Sequence, residues 1–405
     1  TEEDFRKDAV LDPNIQPQKL AFNYIGQPKN ILLTGATGFV GAYLLHELLE
    51  KTKANIYCLI RSQNLEQATQ KLQNKLKYYG VWDVTKNNRI IPIVGDLSKQ
   101  LLGLSPSQFQ DLANQIDIIY HNGAWINTIY PYSVLKPSNV LGTQEILRLA
   151  SEIKLKPVHY ISTTSVFSPI AYAQNKCILE SEPLDKTEGL ENGYCQSKWV
   201  AEKLIIEARE RGLPVSIYRL ARVTGHSQTG ICNTDDLFCR LIKGCIQIGI
   251  APQMDGALDN LTPVDYVTKA IIHLSQQKES LGKAFHLLNP NSTPMNELFK
   301  LIRALGYPNE QIPYQKWLEQ LIKESQLDSD NVLKPLLPIY SQNTTESTET
   351  IPEPEFDLTN THQGLAGTDI TCPAMELKLL EIYFSYFIKS GYLTAPSNQL
   401  TKIIG

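Results

Sequence analysis

Short apolar runs alternate with longer amphipathic stretches through the first half of the chain. Ile31–Thr34, Asn55–Arg61, Ile90–Val94, Asp117–His121, Val158–Ser162 and Val215–Leu220 are brief and apolar-rich, which predicts six buried strands. The stretches between them repeat apolar residues at helical spacing. Leu44, Leu45, Leu48 and Leu49 mark a helix over 42–50, and further helices are expected over 65–79, 134–151 and 192–211. Strand and helix in strict alternation imply an α/β fold: a Rossmann-type, doubly wound parallel sheet with right-handed crossovers.

Beyond about residue 230 the alternation stops. Asp235–Ile248 and Leu261–Leu274 read as helices, the second entered through Thr262-Pro263 with the proline in its first turn. Ala284–Leu288 reads as a last strand, and 291–405 as mostly helical. Within it, Gln342–Pro354 is polar and proline-bearing, as in a mobile loop. Met375–Tyr392 is an aromatic-rich helix whose Tyr383, Phe384, Tyr386 and Phe387 suit core packing. The expected division is an arm over 1–28, a sheet domain over 29–229 with 258–290, and a helical, substrate-binding subdomain over 230–257 with 291–405. Pro13, Pro17 and Pro28 fit an extended arm.

Chemistry enters at the end of the first strand. Gly35, Gly38 and Gly41 are spaced G-x-x-G-x-x-G between strand and helix. Such a turn sets backbone N–H groups and the positive end of a helix against a pyrophosphate. Thr34, Gly35, Thr37, Gly38, Phe39, Val40 and Gly41 are the residues expected at a dinucleotide. Arg61 closes the second strand, where an acidic residue would take the ribose 2′-hydroxyl; an arginine pairs instead with a 2′-phosphate, which points to NADP. Lys71 can add a second charge there. Asp96, in Gly95-Asp96-Leu97, can accept from the adenine amino group or cap the next turn. Asn122-Gly123-Ala124 is a small-residue turn that lets the chain pass close under the cofactor.

Tyr194 and Lys198 lie four apart on one helical face. An ammonium beside a phenol favours the phenolate, so a lowered Tyr194 pKa is expected, and Lys198 can also hold the nicotinamide ribose. The fifth strand ends in Thr163, Thr164 and Ser165, any of which can polarise a carbonyl. A nicotinamide, a proton donor and an oxyanion partner are the parts of a hydride transfer to a carbonyl. Cys195 points about 100° away from Tyr194 on the helix, without a partner histidine, and reads as structural.

The remaining composition excludes more than it adds. A net charge of −4 without a basic block argues against nucleic-acid binding. No apolar run is long enough to span a membrane. Seven scattered cysteines, with no C-x-x-C pair, suit reduced thiols in the cytoplasm, and no metal site is expected.

These residues resemble an extended short-chain dehydrogenase/reductase, and the finer pattern resembles the terminal thioester reductase domains of nonribosomal peptide and polyketide synthetases. That pattern comprises T-G-A-T-G-F-V-G at 34–41, C-L-I-R at 58–61, H-N-G-A at 121–124 and N-V-L-G-T at 139–143. It continues with I-S-T-T-S-V-F at 161–167, G-Y-C-Q-S-K at 193–198, Y-R-L-A-R-V-T-G at 218–225 and T-P-V-D-Y-V at 262–267. Carboxylic acid and aminoadipate reductases carry similar domains. The resemblance implies Thr163, Tyr194 and Lys198 as catalytic residues, Gly35, Gly38 and Gly41 as phosphate-binding, and Arg61 as NADP-selecting, with Lys71 near a position where Arg is commoner. It implies NADPH-dependent release of a carrier-bound acyl or peptidyl thioester as an aldehyde, with a second reduction to the alcohol as an option. The implied partner is an upstream carrier protein with a phosphopantetheine arm. The absence of an initiator Met suits a processed chain or a part cut from a longer one, and the isolated domain is expected to be monomeric. The alternatives are an extended reductase or epimerase acting on a free small molecule, and a non-catalytic NADP sensor.

Overall fold

The computed structural model describes residues 4–327, 330–342 and 354–397. Residues 343–353, most of the loop expected to be mobile, lie outside the described residues. The chain divides into two units. The first comprises Thr1–Ala221, Tyr266–Leu287 and Pro354–Ile370; the second comprises Arg222–Asp265, Leu288–Glu353 and Thr371–Gly405.

The first unit is built on a seven-stranded parallel sheet. Its strands are β1 (Asn30–Thr34), β2 (Asn55–Ile60), β3 (Ile90–Val94), β4 (Ile118–His121), β5 (Val158–Thr163), β6 (Val215–Leu220) and β7 (Ala284–Leu287). Their spatial order is β7-β6-β5-β4-β1-β2-β3. The order reverses between β1 and β4, which pair in register with Thr34 opposite His121. That reversal opens a crevice at the carboxyl ends of the strands, where ligands bind in such sheets. Helices α1 (Phe39–Lys51), α2 (Leu65–Tyr78), α3 (Pro106–Gln115), α4 (Tyr132–Lys136), α5 (Gly142–Ala150) and α6 (Gly193–Glu210) flank the sheet. The strands are near-continuous apolar runs because helices cover both faces.

Two expectations need correction. The helix expected over 134–151 is interrupted: a π-helical turn, Pro137–Leu141, separates α4 from α5. Pro137 has no N–H to donate, and the turn widens around it. Pro263 is not inside a helix; it ends a short strand, Leu261–Pro263, and the helix starts at Val264.

The N-terminal arm is a packed element of the first unit. Leu11 and Ile15 are buried, and Phe5 sets its ring against Trp199 at 5.8 Å and Tyr132 at 5.9 Å. At the far end of α6, Arg211 donates to the carbonyls of Leu11, Asp12 and Ile15 at 2.7–2.8 Å, and Glu207 accepts from the Leu11 N–H.

The second unit has its own core around Trp317, Phe299, Tyr383 and Phe387. Its helices include Leu237–Ile248, Met295–Ala304, Tyr314–Gln326 and Leu377–Lys389, joined by three two-stranded pairs. The buried aromatic residues of the last helix are core packing, in keeping with their spacing in the sequence.

Candidate active site

The glycine turn is shaped by what cannot fit. Gly35 has φ +76°, and a Cβ there would fall 2.8 Å from Gly123 Cα. A Cβ on Gly41 would lie 1.7 Å from the Gly35 carbonyl oxygen, so α1 can pack on β1 only through glycine. Gly38 differs. Its virtual Cβ meets only the Gly35 oxygen at 3.5 Å, ordinary contact, so nothing in the protein requires glycine there. Gly38 is also the N-cap of α1 and offers no side-chain cap. The first N–H groups of α1 therefore face the crevice, and the missing side chain leaves room for a phosphate. This cradle fits a dinucleotide.

The neighbouring residues complete that side. Lys71 donates to the Arg61 carbonyl at 3.2 Å, so both exposed cations sit at the end of β2. Asp96 caps its own turn: Oδ1 accepts from the Ser98 N–H at 2.8 Å and the Ser98 hydroxyl at 2.7 Å. Leu97 wedges against Gly123 and Gly142, where a Cβ would come within 2.7 Å of it. Asn122 Nδ2 reaches the Gly35 carbonyl at 3.4 Å, and the Gly123 N–H donates to Thr34 Oγ1 at 2.8 Å. Ala124 ends this turn.

The three hydroxyls after β5 are not equivalent. Thr164 donates back to the Leu220 carbonyl, and Ser165 is exposed. Thr163 Oγ1 accepts from the Ser165 N–H at 3.1 Å, and its own proton has no acceptor among the described residues. Thr163 is thus the hydroxyl oriented to donate outward.

Tyr194 and Lys198 share the inner face of α6, which Asn192 caps by accepting from the Cys195 N–H. The Lys198 ammonium is buried, donates to the Ile161 carbonyl at 2.8 Å and lies 4.4 Å from the Tyr160 ring centroid. Burial lowers its pKa to about 7, against a smaller opposing pull from Glu202. The expected lowering of the Tyr194 pKa is not found. Burial pushes the phenol up, with Cys195 adding to the rise. Desolvation dominates the phenol, and the Lys198 ammonium is turned to the Ile161 carbonyl. A phenol kept protonated is still the form that can donate to a carbonyl oxygen. Burial likewise raises the Cys195 thiol, consistent with a structural role.

Several supports of this site carry no local sequence signal. Glu202, one turn beyond Lys198, accepts from the Ser162 hydroxyl and from Arg219 Nε and Nη2 at 2.9 and 2.6 Å. Arg219 also donates to the Glu180 carbonyl and to His286 Nε2. Asn139, in the π turn, donates to Ser197 Oγ and holds the Trp125 backbone at both its N–H and carbonyl. The loop that follows Ala124 exposes Trp125, Ile126, Ile129 and Tyr130 to solvent. Asn139 and His121 lie in segments with family resemblance, which is the one hint the sequence offers of them.

The fold sets a glycine turn at the switch point of a doubly wound sheet, with Thr163 at the end of β5 and Tyr194 and Lys198 on α6. Residues 33–271 match the NAD-binding family described as Male sterility protein. Over 97% of the chain, the structure is similar to the terminal R domain of the myxalamid PKS-NRPS biosynthetic pathway, covering 99% of it at 45% identity with a TM-score of 0.91. A linear gramicidin synthase polypeptide of Brevibacillus parabrevis is 40% identical over 96% of the chain. The large subunit of L-2-aminoadipate reductase of Penicillium chrysogenum is 32% identical over 98% of it. The chain spans only 8% and 30% of those two relatives. The chain belongs to this NAD-binding family and, within it, to the terminal R domains.

Proposed function

We propose that this domain uses NADPH to release an acyl or peptidyl group, held as a thioester on the phosphopantetheine arm of a carrier protein, as an aldehyde. What supports the reading is that Lys198 of α6 is tied to Ile161 of the strand that ends in Thr163, in a chain like a terminal R domain over 97% of its length. Bound NADPH supplies a hydride to the thioester carbonyl carbon. Thr163 donates a hydrogen bond to the carbonyl oxygen as negative charge grows there, and Tyr194, kept protonated by burial, delivers the proton. Lys198 uses one ammonium proton on Ile161 and has two left for the nicotinamide ribose. The tetrahedral thiohemiacetal then loses the carrier thiol and leaves the aldehyde. No group of the protein forms a covalent bond to the acyl chain. Arg61, with Lys71 beside it, reads the 2′-phosphate.

The test is NADPH consumption with an acyl-pantetheine thioester, with products identified by mass. The expected result is an aldehyde or alcohol and free thiol. Tyr194→Phe and Thr163→Ala should each lose about 10²-fold or more in turnover while still binding NADPH. Reduction of free ketones with thioesters untouched would favour the small-molecule alternative.

A further inference from the structure

We propose that His121, acting through Thr143, is a positioning residue: it joins the cofactor-side turn to the catalytic helix by one directed chain of hydrogen bonds. The inference rests on the reductase reading for its functional meaning, but the chain is built from geometry alone.

The Thr143 end of the chain fixes its direction. The Gly123 N–H can only donate, and it donates to Thr34 Oγ1 at 2.8 Å. Thr34 Oγ1 lies 2.7 Å from His121 Nδ1. At the other end, the Asn139 carbonyl can only accept, and the Thr143 hydroxyl donates to it at 2.8 Å. Thr143 Oγ1 must therefore accept from His121 Nε2, 2.9 Å away. A neutral imidazole then carries its single proton on Nε2, and Nδ1 accepts from the Thr34 hydroxyl. Thr34, His121 and Thr143 are all buried, so none of these partners can be replaced by bulk water. The low pKa of His121, about 3 from burial and the nearby Lys198 charge, agrees with that state.

The chain continues from Asn139 into the catalytic helix. Asn139 Nδ2 donates to Ser197 Oγ at 2.9 Å, and Ser197 donates to the Tyr194 carbonyl at 2.9 Å. Thr34 and Gly123 lie where the dinucleotide is proposed to bind, and Tyr194 supplies the proton. His121 touches neither Tyr194 nor Lys198 by hydrogen bond. Its part is to hold Thr34 and Thr143 in fixed orientations, so that the cradle and the helix keep one mutual placement.

His121→Phe risks the fold, so the decisive variants are at Thr143. Thr143→Val keeps the shape and removes both the donor and the acceptor; Thr143→Ser keeps both. We expect Thr143→Val to weaken NADPH binding about threefold or more and to lower kcat about tenfold, with KM for the thioester little changed. Thr143→Ser should restore both to within about twofold. A shift in melting temperature with NADPH affinity and kcat unchanged would make the histidine merely structural and overturn the proposal. Nitrogen NMR of the full chain at neutral pH should show His121 with Nε2 protonated and Nδ1 bare; the opposite tautomer would also overturn it. If the parent protein reduces no thioester, the functional reading fails, while NADPH affinity and the NMR signature still decide the chain.

Discussion

The glycine turn and helix α6, which carries Tyr194 and Lys198, are made in opposite ways. The turn works by absence: Gly35 and Gly41 let backbone approach backbone where no side chain fits. The helix works by buried charge: Lys198, Glu202 and Arg219 are each almost fully buried, held by the Ile161 carbonyl, by Ser162 and by one another. A steric device depends on a few adjacent positions. An electrostatic one must recruit partners from β5, β6 and β7, because a buried charge left without a partner is costly.

The sharpest way to break the comparison is within the turn itself. Gly41→Ala places a methyl group inside the Gly35 carbonyl and should destabilise the domain by about 3 kcal/mol or more, read as loss of soluble folded protein. Gly38→Ala meets only ordinary contact, so it should leave the melting temperature unchanged and weaken NADPH binding alone. Equal behaviour of the two variants would refute the division of labour between packing and ligand. Next in size is the cofactor choice: Arg61→Asp should cut the preference for NADPH over NADH by about tenfold or more, measured as the ratio of kcat/KM values. An unchanged ratio would place recognition of the 2′-phosphate elsewhere.

The helix is tested through Lys198. Lys198 has a folded pKa near 7, below its unfolded value of 10.5. Between those values the unfolded chain holds the extra proton, so this group makes the parent more stable as pH rises through the window. Below pH 7 the full cost of burying the ammonium is present. Lys198→Met removes that cost, so its melting temperature relative to the parent should be highest near pH 6 and fall back toward pH 9. A difference that does not vary with pH would mean that the ammonium is better compensated than its burial implies. Lys156, also buried with a pKa near 7, is present in both proteins and cancels in the comparison.

The same contrast explains what the sequence can show. The strands and the glycine turn are readable because their causes are local: an apolar run, or three glycines at fixed spacing. Tyr194 and Lys198 are readable because four residues span one helical turn. The state of Tyr194 is not, because spacing shows a neighbour but not the depth of burial, and burial decides the pKa. The π turn at Pro137 and the strand ending at Pro263 escape the pattern because proline restricts the backbone without naming the partner that completes it. Glu202 lies in α6 and Arg219 in β6, and only the folded sheet makes them a pair. Thr34, His121, Asn139 and Thr143 all stand in plain view within motifs, yet their use depends on three separate segments arriving side by side.

The N-terminal arm has a practical consequence for where this domain can be cut. The sheet begins at Asn30, and a boundary drawn from the nucleotide-binding pattern would fall there. Such a truncation would strip Arg211 of three carbonyl acceptors and remove Phe5, Leu11 and Ile15 from the apolar surfaces that receive them. A boundary that keeps these contacts starts ahead of Phe5, because the arm closes the outer end of the helix that carries Tyr194.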